Sequence, residues 1–168
     1  VAGYTPSADF PVVSAWRPTR AGDVDGFLSR LTPELSSLTW STYVGGINRD
    51  TLDGLSLDSS GRIYAAGKSM SPDFPLADPL QAAKSVNLDA ILMRFPASGG
   101  APDFSTFIGG TGADGAVSVG VSPSAIAWVA GVTGAVSYPQ VSPLVNLAAD
   151  GVHAFLTGVA VASAAGPG

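Results

Sequence analysis

The stretch WSTYVGG at residues 40–46 returns as FSTFIGG at residues 104–110, a spacing of 64 positions. A run of β-branched and aromatic residues that closes on two glycines predicts a strand that ends in a turn. We therefore expect a structural role for four glycines at these strand ends: Gly45, Gly46, Gly109 and Gly110. Because the whole motif is repeated, the extent of the repeat has to be established first.

The spacing of 64 residues holds along most of the chain. Gly3, Gly67 and Gly131 share it. So do Phe10, Phe74 and Tyr138, each of which is followed by a proline. The sequence DGFL at 25–28 returns as DAIL at 89–92 and as HAFL at 153–156. No gap is needed to align these copies, so the chain is one array of repeats.

Each repeat contains four segments with strand character and one long connection. In the first full repeat the expected strands are Gly26–Leu31, Leu38–Val44, Leu55–Asp58 and Arg62–Gly67. A tight turn at Ser59–Gly61 joins the last two, and residues 68–88 form the connection. Four short antiparallel strands followed by a longer connection predict a β-propeller blade.

The sequence therefore predicts an all-β chain of about 2.5 blades, incomplete at both ends. Residues 1–24 would supply the last strand of one blade and a connection, and residues 153–168 the first strand of another. The blades with their connections would span 25–88 and 89–152. On this interpretation residues 3–66 and 67–130 each form a four-stranded sheet, and the two end strands pair outside their own repeats.

These motifs resemble the bacterial beta-propeller repeat called SBBP, most specifically through residues 40–46 and DSSGRIY at 58–64. The resemblance covers nearly the whole chain. It implies propeller blades in a secreted or cell-surface bacterial protein, and it implies no activity, because the family has no defining catalytic residue. The second copy departs from the pattern with SPSA at 122–125, and His153 stands where Asp25 and Asp89 stand.

The composition excludes several classes of protein. With 46% apolar residues and 12% charged residues, the chain does not have the composition of a disordered protein or a coiled coil. Its net charge of −5 and its eight scattered basic residues predict no nucleic-acid binding. It has no cysteine for a disulfide or a thiolate. Residues 151–168 carry no charged group, and for this segment we expect a buried strand and no membrane span.

Two groups of aspartates are candidates for polar sites. Asp25 and Asp89 precede the first strand of each blade, where we expect them to bind loop N–H groups and no metal. Calcium binds oxygen ligands such as the carboxylates of loop acids. The acids that follow the double glycine at 45–46 are Asp50, Asp53 and Asp58, and they are the calcium candidates. Asx turns are the favoured alternative for this trio, because the next copy has Val117 and Ser122 in place of two of them.

Most aromatic residues recur at strand positions, which indicates packing between blades. Phe10, Phe74 and Tyr138 are expected to be structural for this reason, as are the pairs Trp40 with Phe104 and Tyr64 with Trp128. Trp16 lies in a connection and has Leu80 as its counterpart. It is therefore the candidate for an exposed, ligand-binding contact.

The sequence favours a non-catalytic structural or interaction module of a secreted or cell-surface bacterial protein. One His, one Glu and no Cys leave no catalytic residue to nominate. Incomplete blades predict association with other copies or with missing blades of a longer chain. The alternatives are a propeller that binds surface glycans through its connections and a fragment of a propeller enzyme. No cofactor is expected, calcium at the loop acids aside.

Overall fold

The computed structural model describes residues 1–134, 137–139 and 151–161, and these residues contain ten strands and no helix. The strands are β1 (Ala2–Thr5), β2 (Asp25–Leu31), β3 (Leu38–Val44), β4 (Asp50–Leu57), β5 (Ile63–Ser69), β6 (Asp89–Phe95), β7 (Phe104–Ile108), β8 (Asp114–Val121), β9 (Ile126–Thr133) and β10 (His153–Ala160). Within this part of the chain, accordingly, no helix is long and apolar enough to cross a membrane.

The ten strands form three antiparallel sheets in the order of the chain. The first sheet has the order β1-β2-β3, the central sheet β4-β5-β6-β7 and the third sheet β8-β9-β10. The described strands do not close into a barrel. The predicted all-β class is confirmed, with propeller-like blades of three to four antiparallel strands.

The predicted grouping of the strands is wrong. β2 and β3 belong to the first sheet, whereas β4 and β5 pair with β6 and β7 in the central sheet. The reason is that the short loop 45–49 carries the chain from one sheet to the next. The long connection 70–88 stays within the central sheet and joins β5 to β6. The sequence repeat and the sheet are therefore out of phase.

The two end strands are also paired differently from the prediction, because each finds its neighbour within this chain. β1 pairs with β2, so that Gly3 lies opposite Phe27. β10 pairs along its whole length with β9. They are not single strands that require a partner from elsewhere. Residues 140–150 of the predicted connection and 162–168 of the predicted last segment lie outside the described residues.

The long connections protect the outer edges of two sheets. Val13 pairs with Ser41 of β3, and Ala77 pairs with Ser105 of β7 at the equivalent position. Further along the same edges, the N–H of Tyr43 donates to the carbonyl of Arg17, and that of Phe107 donates to Gln81. These contacts occupy backbone groups that would otherwise be open to pairing with another chain.

β4 begins at Asp50, five residues before the start of the predicted strand Leu55–Asp58. The N–H of Asp50 donates to the carbonyl of Val24, and its Oδ2 accepts the N–H of Gly46, so hydrogen bonds hold the first residue of the strand. β4 is bulged between Leu52 and Gly54, and β8 is bulged at the equivalent place, between Ala116 and Ser118. The 64-residue repeat therefore includes the positions of the β-bulges.

Two apolar cores hold the three sheets together. Between the first and central sheets lie Leu28, Trp40, Leu52, Ile91, Phe95 and Phe107. Between the central and third sheets lie Tyr64, Leu92, Val119, Val129 and Phe155. β8 packs on β5 and β6 as β4 packs on β1 and β2. Both faces of the central sheet are therefore buried, each large side chain contributing about 1.5–3 kcal/mol.

The two β-hairpin turns that join β4 to β5 and β8 to β9 differ in a testable way. Gly61 has a φ of 76°, and its counterpart Ala125 has a φ of 60°. A left-handed backbone costs a residue with a Cβ about 1–2 kcal/mol, and glycine avoids this cost.

We therefore expect Ala125→Gly to raise the free energy of unfolding by about 1 kcal/mol. Gly61→Ala should lower it by a similar amount, because a Cβ there would meet only the Ala97 side chain at an ordinary 3.5 Å. Chemical denaturation of the two variants and the parent measures both changes. An unchanged stability in both variants would contradict this account of the turn.

Candidate functional site

Two buried aspartates flank the loop that leads from the first sheet to the central sheet. Asp25, at the start of β2, accepts the N–H groups of Ala21 at 2.9 Å and Gly22 at 3.0 Å. Asp50, at the start of β4, accepts the N–H of Gly46 at 2.7 Å and the hydroxyl of Ser71 at 2.6 Å. Both carboxylates therefore fix the backbone of segments that connect strands.

We call the loops 45–49 and 109–113, which lead from one sheet to the next, the first and second junctions. The second junction has the same construction as the first. Asp89 accepts the N–H of Ser85 at 3.1 Å, and Asp114 accepts the N–H of Gly110 at 2.8 Å. A Cβ at Gly109 would lie 2.7 Å from Asp114 Oδ2 and 3.0 Å from Asp89 Cγ. A Cβ at Gly45 would likewise lie 2.7 Å from Asp25 Cγ. The double glycines are thus placed where backbone and carboxylate meet too closely for a side chain.

The first junction perturbs the ionisation of one of its acids. Burial raises the pKa of Asp50 above its ordinary value, and the nearby carboxylate of Asp25 adds to the rise. Hydrogen bonds from Gly46, Ser69 and Ser71 oppose it in part. Within the described structure, Asp50 Oδ1 and its counterpart Asp114 Oδ1 have no hydrogen-bond partner. Removal of Asp50 from water is therefore only partly compensated.

The structure does not bring the three calcium candidates together. Asp50 is buried in the junction, whereas Asp53 pairs with Lys68 at 3.4 Å and accepts the hydroxyl of Thr51. Asp58 pairs with Arg62 at 2.7 Å. Burial opposes its ionisation, but hydrogen bonds from the side chain and backbone of Arg62 and from Ser60 hold its pKa below the usual value. The three acids are therefore held by different partners, and calcium binding at any of them stays a prediction.

The described residues contain no cluster of three or more His, Asp or Glu side chains that would suit a metal ion. His153 is the first residue of β10, at the register of Asp25 and Asp89. The acids of the junctions accept hydrogen bonds from N–H groups of the loop backbone.

The recurring aromatic residues each cover the face of a sheet. Phe10 packs on Phe27 of β2 with ring centroids 4.5 Å apart, and Tyr138 packs on Phe155 of β10 at 4.6 Å. Phe74 lies 5.9 Å from Phe107 of β7. Each of the three lies in a long connection: Phe10 between β1 and β2, Phe74 between β5 and β6, and Tyr138 between β9 and β10. Their shared position is a packing position.

Trp16 is less accessible than its place in a connection suggested. It is half-buried and meets Phe95 edge-on, with ring centroids 6.3 Å apart. The guanidinium carbon of Arg17 lies 5.0 Å from its ring centroid. One part of the ring is therefore used to extend the core between the first and central sheets. A glycan contact at Trp16 stays a prediction.

Sequence reasoning missed an exposed apolar surface on the third sheet. Trp128, Val132 and Leu156 are 45%, 46% and 67% exposed. Trp128 was assigned to packing between blades because its counterpart Tyr64 is an aromatic residue, and Tyr64 is indeed fully buried. The register of the repeat reveals this surface when it is combined with the position of the third sheet, which among the described residues has a neighbour on one face only.

The sequence model of the SBBP beta-propeller repeat family matches residues 39–75. The matched segment contains β4, β5 and most of β3. One repeat of this family, a structural repeat that is not known for catalysis, is therefore found over these residues. No curated protein matches the chain at a significant level.

The raised pKa of Asp50 predicts a pH-dependent contribution to stability. The folded state holds this proton more tightly than the unfolded state, whose pKa is near 3.8. The contribution is therefore complete below pH 3.8 and is lost as the pH rises through the pKa of the folded state. Asp50→Asn keeps the shape of the side chain and does not titrate.

We expect the unfolding free energy of Asp50→Asn, measured relative to that of the parent, to rise with pH across this window and then to level off. Denaturant titrations between acidic and neutral pH measure the difference. The control is Asp9→Asn, which removes an exposed carboxylate. A difference that falls with pH would mean that the folded protein stabilises Asp50 as an anion.

Proposed function

We propose that this chain is a structural and interaction module of a secreted or cell-surface bacterial protein, and that it associates with other copies through its open sheets. The observation that carries the proposal is the uncovered apolar surface around Trp128 and Leu156. Soluble proteins rarely expose contiguous apolar surface unless it meets a partner. The extracellular setting is supported by the resemblance to repeats found in secreted and surface proteins.

A groove beside β1 supports the same proposal. It has a volume of about 280 Å³, lies between the first and central sheets, and is lined by Val1, Leu28, Leu35, Leu55 and Leu57 among others. Leu55 and Leu57 are 40% and 61% exposed, whereas their counterparts Val119 and Val121 pack in the second core. In the described structure β1 is paired on one side only, so its other edge can accept a strand.

The site chemistry supports a non-catalytic role. The buried acids of both junctions bind backbone N–H groups, and Asp53 and Asp58 are paired with Lys68 and Arg62. A polar group committed to structural hydrogen bonds is a poor candidate for proton transfer to a substrate.

Sedimentation of the chain from nanomolar to high micromolar concentration tests the proposed association. The weight-average mass should rise with concentration, and the melting temperature should rise with it, because association stabilises the folded state by mass action. A folded chain that stays monomeric over the whole range would overturn self-association. Fractionation of the source cells tests the proposed extracellular setting. The protein should then be found in the medium or on the cell surface.

A further inference from the structure

We infer that copies of this chain associate head to tail, with the first sheet of one copy stacked on the third sheet of the next. This inference rests on the proposed self-association and specifies its surfaces. The tail face is the side of the third sheet that carries Trp128, Ala130, Val132, Ala154 and Leu156. The head face is the side of the first sheet that carries Gly3, Phe10, Phe27 and Tyr43.

The tail face repeats the face of the central sheet on which the third sheet packs. Its counterparts at a spacing of 64 residues are Tyr64, Ala66, Ala90 and Leu92. All four are fully buried in the core between the central and third sheets. The tail face repeats this receiving surface with Trp128, Ala130, Ala154 and Leu156, and Trp128 and Leu156 remain exposed there.

The tail face is also less charged than the surface it repeats. Lys68 and Asp53, which form an ion pair in the central sheet, are replaced by Val132 and Val117. Arg94 is replaced by Gly158, which lies against the ring of Trp128. Loss of charged groups from an exposed sheet face favours an apolar partner over water.

The head face repeats the face of the third sheet that packs against the central sheet. On the third sheet, the side that packs against the central sheet carries Tyr138 on Phe155 at 4.6 Å, with the rings inclined by 30°. The head face carries Phe10 on Phe27 at 4.5 Å, with the rings inclined by 35°. The first pair is buried in the core, whereas Phe10 and Phe27 are half-buried.

The backbone beneath these two pairs also matches. A Cβ at Gly131 would lie 2.7 Å from the Phe155 ring, and a Cβ at Gly3 would lie 2.8 Å from the Phe27 ring. In both sheets a glycine therefore lets the ring lie flat on the neighbouring strand. The head face and the docking face of the third sheet are two copies of one surface.

A head face and a tail face of this kind fit each other but not themselves, so the contact is heterologous and one copy can bind a partner at each end. The first sheet has no described strand at the place that β8 takes in the third sheet. The contact therefore lacks the surface that an equivalent of β8 would bury. We expect a reversible association, weaker than the packing of the third sheet on the central sheet.

Leu156→Asp tests the tail face, because it places a charge where an apolar partner would sit. Its matched control is Leu80→Asp, since Leu80 is 70% exposed against 67% for Leu156 and lies on neither face. Phe10→Ser tests the head face, and Phe10→Tyr restores the residue type that position 138 carries. Circular dichroism and thermal unfolding establish that each variant is folded.

Sedimentation should show Leu156→Asp and Phe10→Ser as monomers at concentrations where the parent, Leu80→Asp and Phe10→Tyr associate. An equimolar mixture of Leu156→Asp and Phe10→Ser should form dimers and nothing larger, because each variant retains the face that the other has lost. A mixture that stays monomeric would overturn the head-to-tail contact.

Two further outcomes separate this inference from the proposed function. If Leu156→Asp associates like the parent, self-association stands and the tail face is not its surface. If Phe10→Ser alone dimerises while Leu156→Asp does not, two tail faces meet each other and the head-to-tail arrangement is wrong. If the parent itself is monomeric at all concentrations, the proposed self-association fails together with this inference.

Discussion

The rest of this structure depends on one constraint: each sheet has two apolar faces, and both need cover. A sheet with alternating polar and apolar residues can leave one face in water, but β6, with the sequence DAILMRF, is buried at every position. Its odd and even residues enter different cores, Ile91 and Phe95 toward the first sheet and Leu92 toward the third. The central sheet therefore cannot exist without neighbours on both sides.

This constraint bears on the junctions between sheets, whose loops are held by buried carboxylates. The chain must leave one sheet and enter the next within residues 45–49, and the backbone groups of so short a loop need partners out of water. Asp50 and Asp73 accept the N–H groups of Gly46 and Ile47, and Gly45 lets the backbone pass close to Asp25. The cost is a buried carboxylate whose pKa is raised.

The sequence was sufficient to predict the class of fold, the 64-residue register and most strand positions, because periodic apolar residues and turn glycines report local structure. β3 was predicted at its observed bounds, and the turn at Gly61 has the expected positive φ. The grouping into sheets was not predictable in the same way. A 64-residue repeat has the same spacing whether the long connection joins two sheets or lies within one, and only the pairing partners distinguish these cases.

The candidate site shows the same division between local and non-local information. The loop contacts of Asp25 involve residues three and four positions away, which lies within reach of sequence reasoning. The burial of Asp50 depends on Ser71, 21 residues along the chain, and Asp53 pairs with Lys68 of the neighbouring strand β5. The exposure of Trp128 depends on what lies beside a whole sheet, which no local pattern encodes.

The phase difference between repeat and sheet has a mechanical consequence for the array. The family match at 39–75 begins in the outer part of one sheet and ends after two strands of the next. Each repeat therefore ties two sheets together covalently, in addition to the apolar core between them. Separation of the first sheet from the central sheet would require both loss of the core around Trp40 and Phe95 and release of the 45–49 loop from Asp50 and Asp73. In the proposed association between separate copies the covalent link is absent, so the contact would rest on the apolar head and tail faces alone.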